Sequence, residues 1–165
     1  MFPSLTLHKD TSCEACELGK HFRASYAPSY NKSSIPFDLI HTDVWGPSRT
    51  VSLKGHRWFV SFIDDYSRTT WLYMMKEKNE VCSIFQNFHK MVGTQFGAVV
   101  KILRSDNGGE YIDSRLGAYI SSHGIIHQTS CTDTPQQNRV AERKNRHLLD
   151  IARCLLFQVK APRSY

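Results

Sequence analysis

The sequence has no long hydrophobic run. Its longest apolar stretches, residues 58–63 and 72–75, are far shorter than the roughly 20 residues that a membrane-spanning helix needs. The first residues show no basic region followed by an apolar block, so we expect no secretory signal. The chain also lacks a Gly-x-Ser-x-Gly elbow and a Gly-x-x-x-x-Gly-Lys-Ser/Thr loop. These absences argue against an α/β-hydrolase and against a P-loop nucleotide hydrolase.

Cysteine is sparse and irregularly spaced. The five cysteines are an odd number, and they are scattered over most of the chain: Cys13, Cys16, Cys82, Cys131 and Cys154. This pattern argues against a disulfide framework and favours a reducing compartment.

Acidic side chains are outnumbered by basic ones. The 165 residues include 21 lysines and arginines against 15 aspartates and glutamates, a formal net charge of +6. The resulting pI near 9.1 favours a polyanionic partner, and nucleic acid is the first candidate. The length and the hydrophobic share of 41% predict about one domain with a true core.

Periodicity separates a short N-terminal part from one folded domain. Residues 1–36 have little apolar periodicity and predict a small module followed by a linker, whereas residues 37–165 predict a compact domain. A hairpin meander followed by crossovers predicts an α/β fold, with a mixed sheet flanked by helices. The predicted strands are 37–44, 58–64, 69–75, 99–103 and 125–129, and the predicted helices are 79–96, 112–122 and 138–157.

Three carboxylates occupy positions where a site could form. Asp43 and Asp106 lie near the ends of predicted strands, and Glu142 lies early in the last helix. Each also has an ordinary structural interpretation: an Asx-bonded turn at Asp43, an Asn-Gly turn at Asp106, or a complement to the helix dipole at Glu142. Asp64 and Asp65 form a competing pair, which we expect to be solvated residues of a hairpin turn.

The last helix carries a basic stripe beside its apolar face. Glu142 falls at the border between the two faces. Such a stripe suits a phosphate backbone passing an acidic site, although an ordinary solvated face remains the alternative. The stripe consists of Arg139, Arg143, Arg146 and Arg153, and the apolar arc includes Val140, Leu148, Ile151 and Leu155.

Clustered carboxylates repel one another unless a cation neutralises them. Hard oxygen ligands suit Mg²⁺ or Mn²⁺, and a pair of such ions can support in-line phosphoryl displacement. The three acids therefore fit metal-dependent chemistry on a phosphodiester.

Four segments closely resemble integrases of copia-type retrotransposons: PFDLIHTDVWGP, FVSFIDDYSRTTWLY, ILRSDNGGEY and TPQQNRVAERKNRHLLDIAR. Thirty-five residues separate Asp106 from Glu142, which matches the aspartate–aspartate–35–glutamate signature of retroviral-type integrases. Asp43 matches the first aspartate of that signature. The resemblance covers roughly residues 12–157.

The resemblance implies an RNase H-like fold with a five-stranded mixed sheet. It implies a Mg²⁺- or Mn²⁺-dependent polynucleotidyl transferase and endonuclease, in which Asp43, Asp106 and Glu142 hold two ions. Such an enzyme trims the 3′ end of element DNA and joins it to target DNA. DNA would then be the partner, a homo-oligomer the working form, and a nucleus or virus-like particle the location. Asn107 would shape the metal site, and the implied DNA contacts are Asn138, Arg139, Arg143, Lys144 and Arg146.

Two positions depart from the family pattern. Arg139 stands where the family usually has glycine, and an arginine forced to positive φ would cost about 1 kcal/mol or impede the loop. Cys13 and Cys16 match the second half of a His-His-Cys-Cys zinc module whose histidines are missing at the family's positions. Because a structural zinc site needs four ligands, we expect weak or no zinc binding and interpret residues 1–36 as a remnant of that module.

Two other functions stay open from the sequence. A decayed element copy would bind nucleic acid without cutting it, which the Arg139 substitution and the incomplete zinc motif favour. An RNase H-like nuclease would keep the fold but act on another substrate, although the 35-residue spacing argues against it.

Overall fold

The computed structural model describes residues 32–130, 138–158 and 160. The expectations placed on Cys13 and Cys16, and on the N-terminal module as a whole, lie outside these residues. The division of the chain at residue 36 therefore stays a prediction.

The described elements follow the predicted order. They are β1 Leu39–Trp45, β2 Trp58–Asp64, β3 Thr70–Met75, a 3₁₀ turn Lys78–Glu80, α1 Val81–Phe96, β4 Ile102–Ser105, α2 Ser114–Ser122, β5 Ile126–Thr129 and α3 Arg139–Gln158. The fourth strand begins later than the predicted 99–103, because pairing with β1 starts where Ile102 lies opposite Leu39. In the described part of the chain, no helix has the length and apolar character needed to cross a bilayer.

The sheet is mixed, with five strands in the order β3-β2-β1-β4-β5. β1 pairs antiparallel with β2 and parallel with β4, and β4 pairs parallel with β5. The predicted fold is thus confirmed. Because β1 and β4 run side by side in the same direction, their carboxyl ends meet at one edge of the sheet.

The two faces of β1 serve different purposes. Ile40 and Val44 pack in a core with α1, where the rings of Phe62 and Phe88 stack at 4.6 Å between centroids. Side chains alternate along a strand, so Asp43 points to the opposite face, where it contacts α3 through Asn145. The helix α3 therefore covers the face that carries the first candidate carboxylate.

The acidic pair at the β2–β3 hairpin is buried, so the expectation of solvated turn residues is wrong. Asp64 is 1% exposed and accepts hydrogen bonds from the backbone N–H groups of Phe37 at 2.8 Å and Ser67 at 2.9 Å. Asp65 accepts one from the Ser33 N–H at 2.7 Å and contacts His41 Nε2 at 2.9 Å. Burial acts to raise the pKa of Asp65, but the Ser33 and His41 bonds outweigh it and hold the pKa below its usual range.

Candidate active site

Asp43 lies near the carboxyl end of the central strand β1, at the edge of the sheet where β4 also ends. Its Oδ2 accepts a hydrogen bond of 2.9 Å from the side-chain amide of Asn145 on α3. The pKa of Asp43 is raised to about 6, first by burial, then by the neighbouring Asp106 and, more weakly, by Glu142. The Asn145 bond opposes the shift. The three acids predicted from the sequence therefore share one electrostatic environment.

Asp106 directly follows β4 and opens a tight turn. Its Oδ1 accepts a hydrogen bond of 3.0 Å from the Gly108 N–H. The next side chain, Asn107, donates to the carbonyl oxygen of Ser130 at 2.7 Å. This bond ties the turn to the residue that follows β5.

Glu142 lies in the first turn of α3 and is exposed. Its neighbours Ala141 and Asn145 are buried at 0% and 2% exposure, so the helix is fixed close to β1. Within the described ranges, no three His, Cys, Asp or Glu side chains lie close enough to hold one metal ion together. The donor set nevertheless fits a hard divalent cation, because it consists of carboxylate oxygens and its crowding is visible in the raised pKa of Asp43.

Asn145 is a site residue that the sequence reasoning missed. It is a side-chain hydrogen-bond donor to the Asp43 carboxylate, and the backbone of Val44 adds a second, weaker hydrogen bond. The Oδ1 atom of Asn145 is buried and has no hydrogen-bond partner among the described residues. The available signal was its spacing of three residues from Glu142, which puts neighbouring side chains on one side of a helix.

Glu110 is a second missed residue. Its side chain is 7% exposed and its Oε1 pairs with Lys78 Nζ at 3.0 Å. A Cβ placed on Gly108 would lie 3.0 Å from Asp106 Oδ1 and 3.0 Å from Glu110 Oε2. Asp106 Oδ1 and Glu110 Oε2 are therefore separated by no more than twice 3.0 Å. A fourth carboxylate, that of Glu110, thus lies beside Asp106.

Asn138 contacts the central strand through its side chain. It is wholly buried, and its side-chain amide donates to the carbonyl oxygen of Thr42 at 3.2 Å. In this arrangement Asn138 holds the start of α3 against β1. The DNA contact that the resemblance implies stays a prediction.

The predicted basic residues are accessible, and most of them share one cleft. Arg139, Arg143 and Arg146 are exposed, and Lys144 is half-buried. A cleft of about 490 Å³ runs between α3 and the β2–β3 hairpin, where Arg68 joins the basic residues of the helix. Its lining is Ile63, Arg68, Arg139, Val140, Arg143, Lys144 and His147.

Arg139 shows none of the strain that its replacement of glycine predicted. It is the first residue of α3. Positive φ angles at non-glycine residues of the described chain occur at Phe37, Arg68 and Lys160. The expected conformational cost is therefore absent, because the backbone at 139 is helical.

The Integrase core domain family matches residues 33–135. The chain belongs to the integrase core family. It is 43% identical over 153 residues to the "Retrovirus-related Pol polyprotein from transposon TNT 1-94" of Nicotiana tabacum. It is 38% identical over 158 residues to the corresponding polyprotein "from transposon RE2" of Arabidopsis thaliana. These similarities confirm the resemblance to copia-type integrases.

The chain is a small part of these relatives' length. The two alignments cover 93% and 96% of this chain but 12% and 11% of the polyproteins. Integrase core proteins generally use divalent metal ions. Among solved structures, the simian T-cell lymphotropic virus intasome in complex with PP2A regulatory subunit B56 gamma superposes with a TM-score of 0.64. That match has 16% identity and covers 79% of this chain and 45% of the viral chain, so it supports the RNase H-like fold.

Proposed function

We propose that this domain catalyses DNA integration, by trimming the 3′ end of retrotransposon DNA and joining it to target DNA. The observation that supports the proposal is electrostatic: Asp106 and Glu142 both raise the pKa of Asp43, which lies near the carboxyl end of β1 beside β4. Perturbed carboxylates at the carboxyl edge of an α/β sheet are typical of a catalytic site. Membership of the integrase core family supports the same reaction class.

The three carboxylates would hold two divalent cations. When bound, these ions supply electrostatic stabilisation for in-line displacement at phosphorus. The chain's own residues set up that arrangement: Asn145 orients the Asp43 carboxylate, and the Gly108 N–H orients Asp106. Since the pKa of Asp43 is raised to about 6, most of its carboxylate is ionised at neutral pH and can accept a cation.

The basic residues of α3 would hold the DNA backbone. Arg139, Arg143, Lys144 and Arg146 lie on the same helix as Glu142, so phosphates bound there would lie next to the acids. The superposition with a viral intasome chain makes a homo-oligomer the working form that we propose.

Strand joining on a short branched DNA with Mn²⁺ tests the proposal. We expect the wild type to join, and Glu142→Gln to lose joining by at least about 100-fold because one anionic ligand is removed. The matched control is Glu77→Gln, which removes an exposed carboxylate from the turn before α1 and should leave joining unchanged. Joining by Glu142→Gln at the wild-type rate would contradict the site.

A catalytically inactive copy that only binds nucleic acid is the second candidate. The observation that favours it is the spacing of the acids, since no three acidic, histidine or cysteine side chains of the described chain share one metal-binding position. DNA binding without any cleavage in Mn²⁺, by the wild type and by Glu142→Gln alike, would support this alternative. An RNA–DNA hybrid assayed beside a DNA duplex distinguishes an RNase H-like nuclease from both.

A further inference from the structure

We propose that Lys78 and Glu110 are positioning residues for Asp106, and that their ion pair sets how well the site binds a divalent cation. The inference rests on the proposed function, since it concerns the same carboxylates. Neither residue belongs to the aspartate–aspartate–35–glutamate signature.

The first step is the shape of the turn after β4. Gly108 separates Asp106 from Glu110, and both carboxylates lie against its α-carbon side. The Asp106 carboxylate is bonded to the Gly108 N–H, and the Tyr111 N–H closes the turn by donating to the Gly108 carbonyl oxygen at 2.9 Å. Because both carboxylates lie against Gly108, a shift of the Glu110 side chain changes the surroundings of the Asp106 carboxylate.

The second step is how Glu110 is held. One of its oxygens pairs with Lys78 Nζ at 3.0 Å, and its side chain is nearly buried. Lys78 Nζ also lies 4.9 Å from the centroid of the Trp58 ring. This ring packs against Gly46 at the end of β1, where a Cβ would meet it at 2.6 Å. Lys78 thus links the end of β1 to the turn that follows β4.

The third step is electrostatic. Glu110 is a further negative charge beside Asp106, and its ion pair with Lys78 compensates that charge. Because the pair fixes one Glu110 oxygen on Lys78, the other remains beside Gly108, close to Asp106 Oδ1. The pair thus holds Glu110 where it supports the position of the Asp106 carboxylate, so breaking the pair disturbs a ligand of the cation.

Calorimetric titration of the full chain with Mg²⁺ alone measures the effect without requiring integration activity. We expect Lys78→Met and Glu110→Gln each to weaken Mg²⁺ binding about 10-fold, as losses of outer-sphere partners do. Lys78→Arg should keep wild-type affinity, because it preserves the ion pair. The double variant should be no weaker than either single one, because both changes break the same contact.

Lys101→Met is the matched control. It removes an ion pair of similar length, 2.9 Å to Asp38, on an exposed lysine outside the site. It should leave the Mg²⁺ affinity unchanged. Melting temperatures without Mg²⁺ report any purely structural loss, which would change stability in the single variants but not their Mg²⁺ affinity.

The inference is overturned if the two variants change the Mg²⁺ affinity in opposite directions. Tighter binding by Lys78→Met and weaker binding by Glu110→Gln would show that net charge alone explains the effect. Affinity equal to wild type in both variants would overturn it as well. Asp106→Asn separates this outcome from failure of the proposed function. If Asp106→Asn binds Mg²⁺ as the wild type does, the carboxylate site itself is refuted; if it loses binding while the two variants keep theirs, only the positioning role fails.

Discussion

At the β2–β3 hairpin, Asp64 and Asp65 accept hydrogen bonds from backbone N–H groups, and Asp65 also contacts His41. On β1, Asp43 accepts a hydrogen bond from the Asn145 side chain but lies in the field of two other carboxylates. The pKa values diverge accordingly: that of Asp65 is lowered and that of Asp43 is raised to about 6. Burial acts in the same direction on both, so the partners decide the sign. A buried carboxylate with a structural role has hydrogen-bond donors for its oxygens, which stabilise its charged form. A buried carboxylate in a cation site lies beside other carboxylates, which destabilise its charged form until a cation binds.

The largest expected effect is at the hairpin. Asp64→Ala leaves the N–H groups of Phe37 and Ser67 without their acceptor, so we expect a loss of about 3 kcal/mol in the free energy of unfolding. Urea unfolding measures it. Asp38→Ala is the control, because its carboxylate is partly exposed and paired with an exposed lysine, and it should cost under about 1 kcal/mol. If both variants lose the same free energy of unfolding, Asp64 has no special structural role.

The second effect has the opposite sign and depends on pH. Native Asp43 keeps its proton up to about pH 6, whereas an unfolded aspartate releases it near about pH 3.9. The contribution of Asp43 to stability is therefore fully present below the unfolded value and is lost as pH rises through about 6.

Without divalent cations, Asp43→Asn should match the wild type near about pH 4 and exceed it by about 2 kcal/mol at about pH 8. Unfolding in chelator across that range measures the difference. A variant that is less stable than the wild type at every pH would show that Asp43, like Asp64, is a structural acid.

The smallest effect isolates the side-chain donor that opposes the raised pKa of Asp43. Asn145→Ala removes the 2.9 Å hydrogen bond, so the pKa of Asp43 should rise further, and joining should fall about 10-fold. Carbon-13 NMR of the aspartate carboxyl groups measures the pKa. Asn79→Ala, an exposed asparagine before α1, serves as the control. A pKa of Asp43 that stays near 6 would mean that the Asn145 bond has no role in its titration.

The strands and helices could be predicted because their signals are local. Aromatic and β-branched residues in 58–64 and a helical repeat in 79–96 match β2 and the Lys78–Phe96 region. Asp43, Asp106 and Glu142 could be named because their motif spacing matches a known family. The start of β4 was missed by a few residues, since it is set by the register with β1 and not by its own composition.

Long-range partners could not be predicted in the same way. Lys78 and Glu110 are 32 positions apart in the sequence, and Asn145 lies 102 positions from Asp43. Asn138 resembled a DNA contact by motif but is buried against β1. Each of these roles depends on which strands become neighbours, and no local pattern encodes that choice.

By itself, the sequence determined the basic charge, the order of elements, the family and the identity of three carboxylates. The tertiary structure decided which acids are bonded and which are crowded, which asparagine supports Asp43, and where a fourth carboxylate is held. The physical reason is that charge and periodicity are properties of the chain, whereas pKa values and ion pairs depend on distances that exist only after β1 and β4 pair and α3 packs on them.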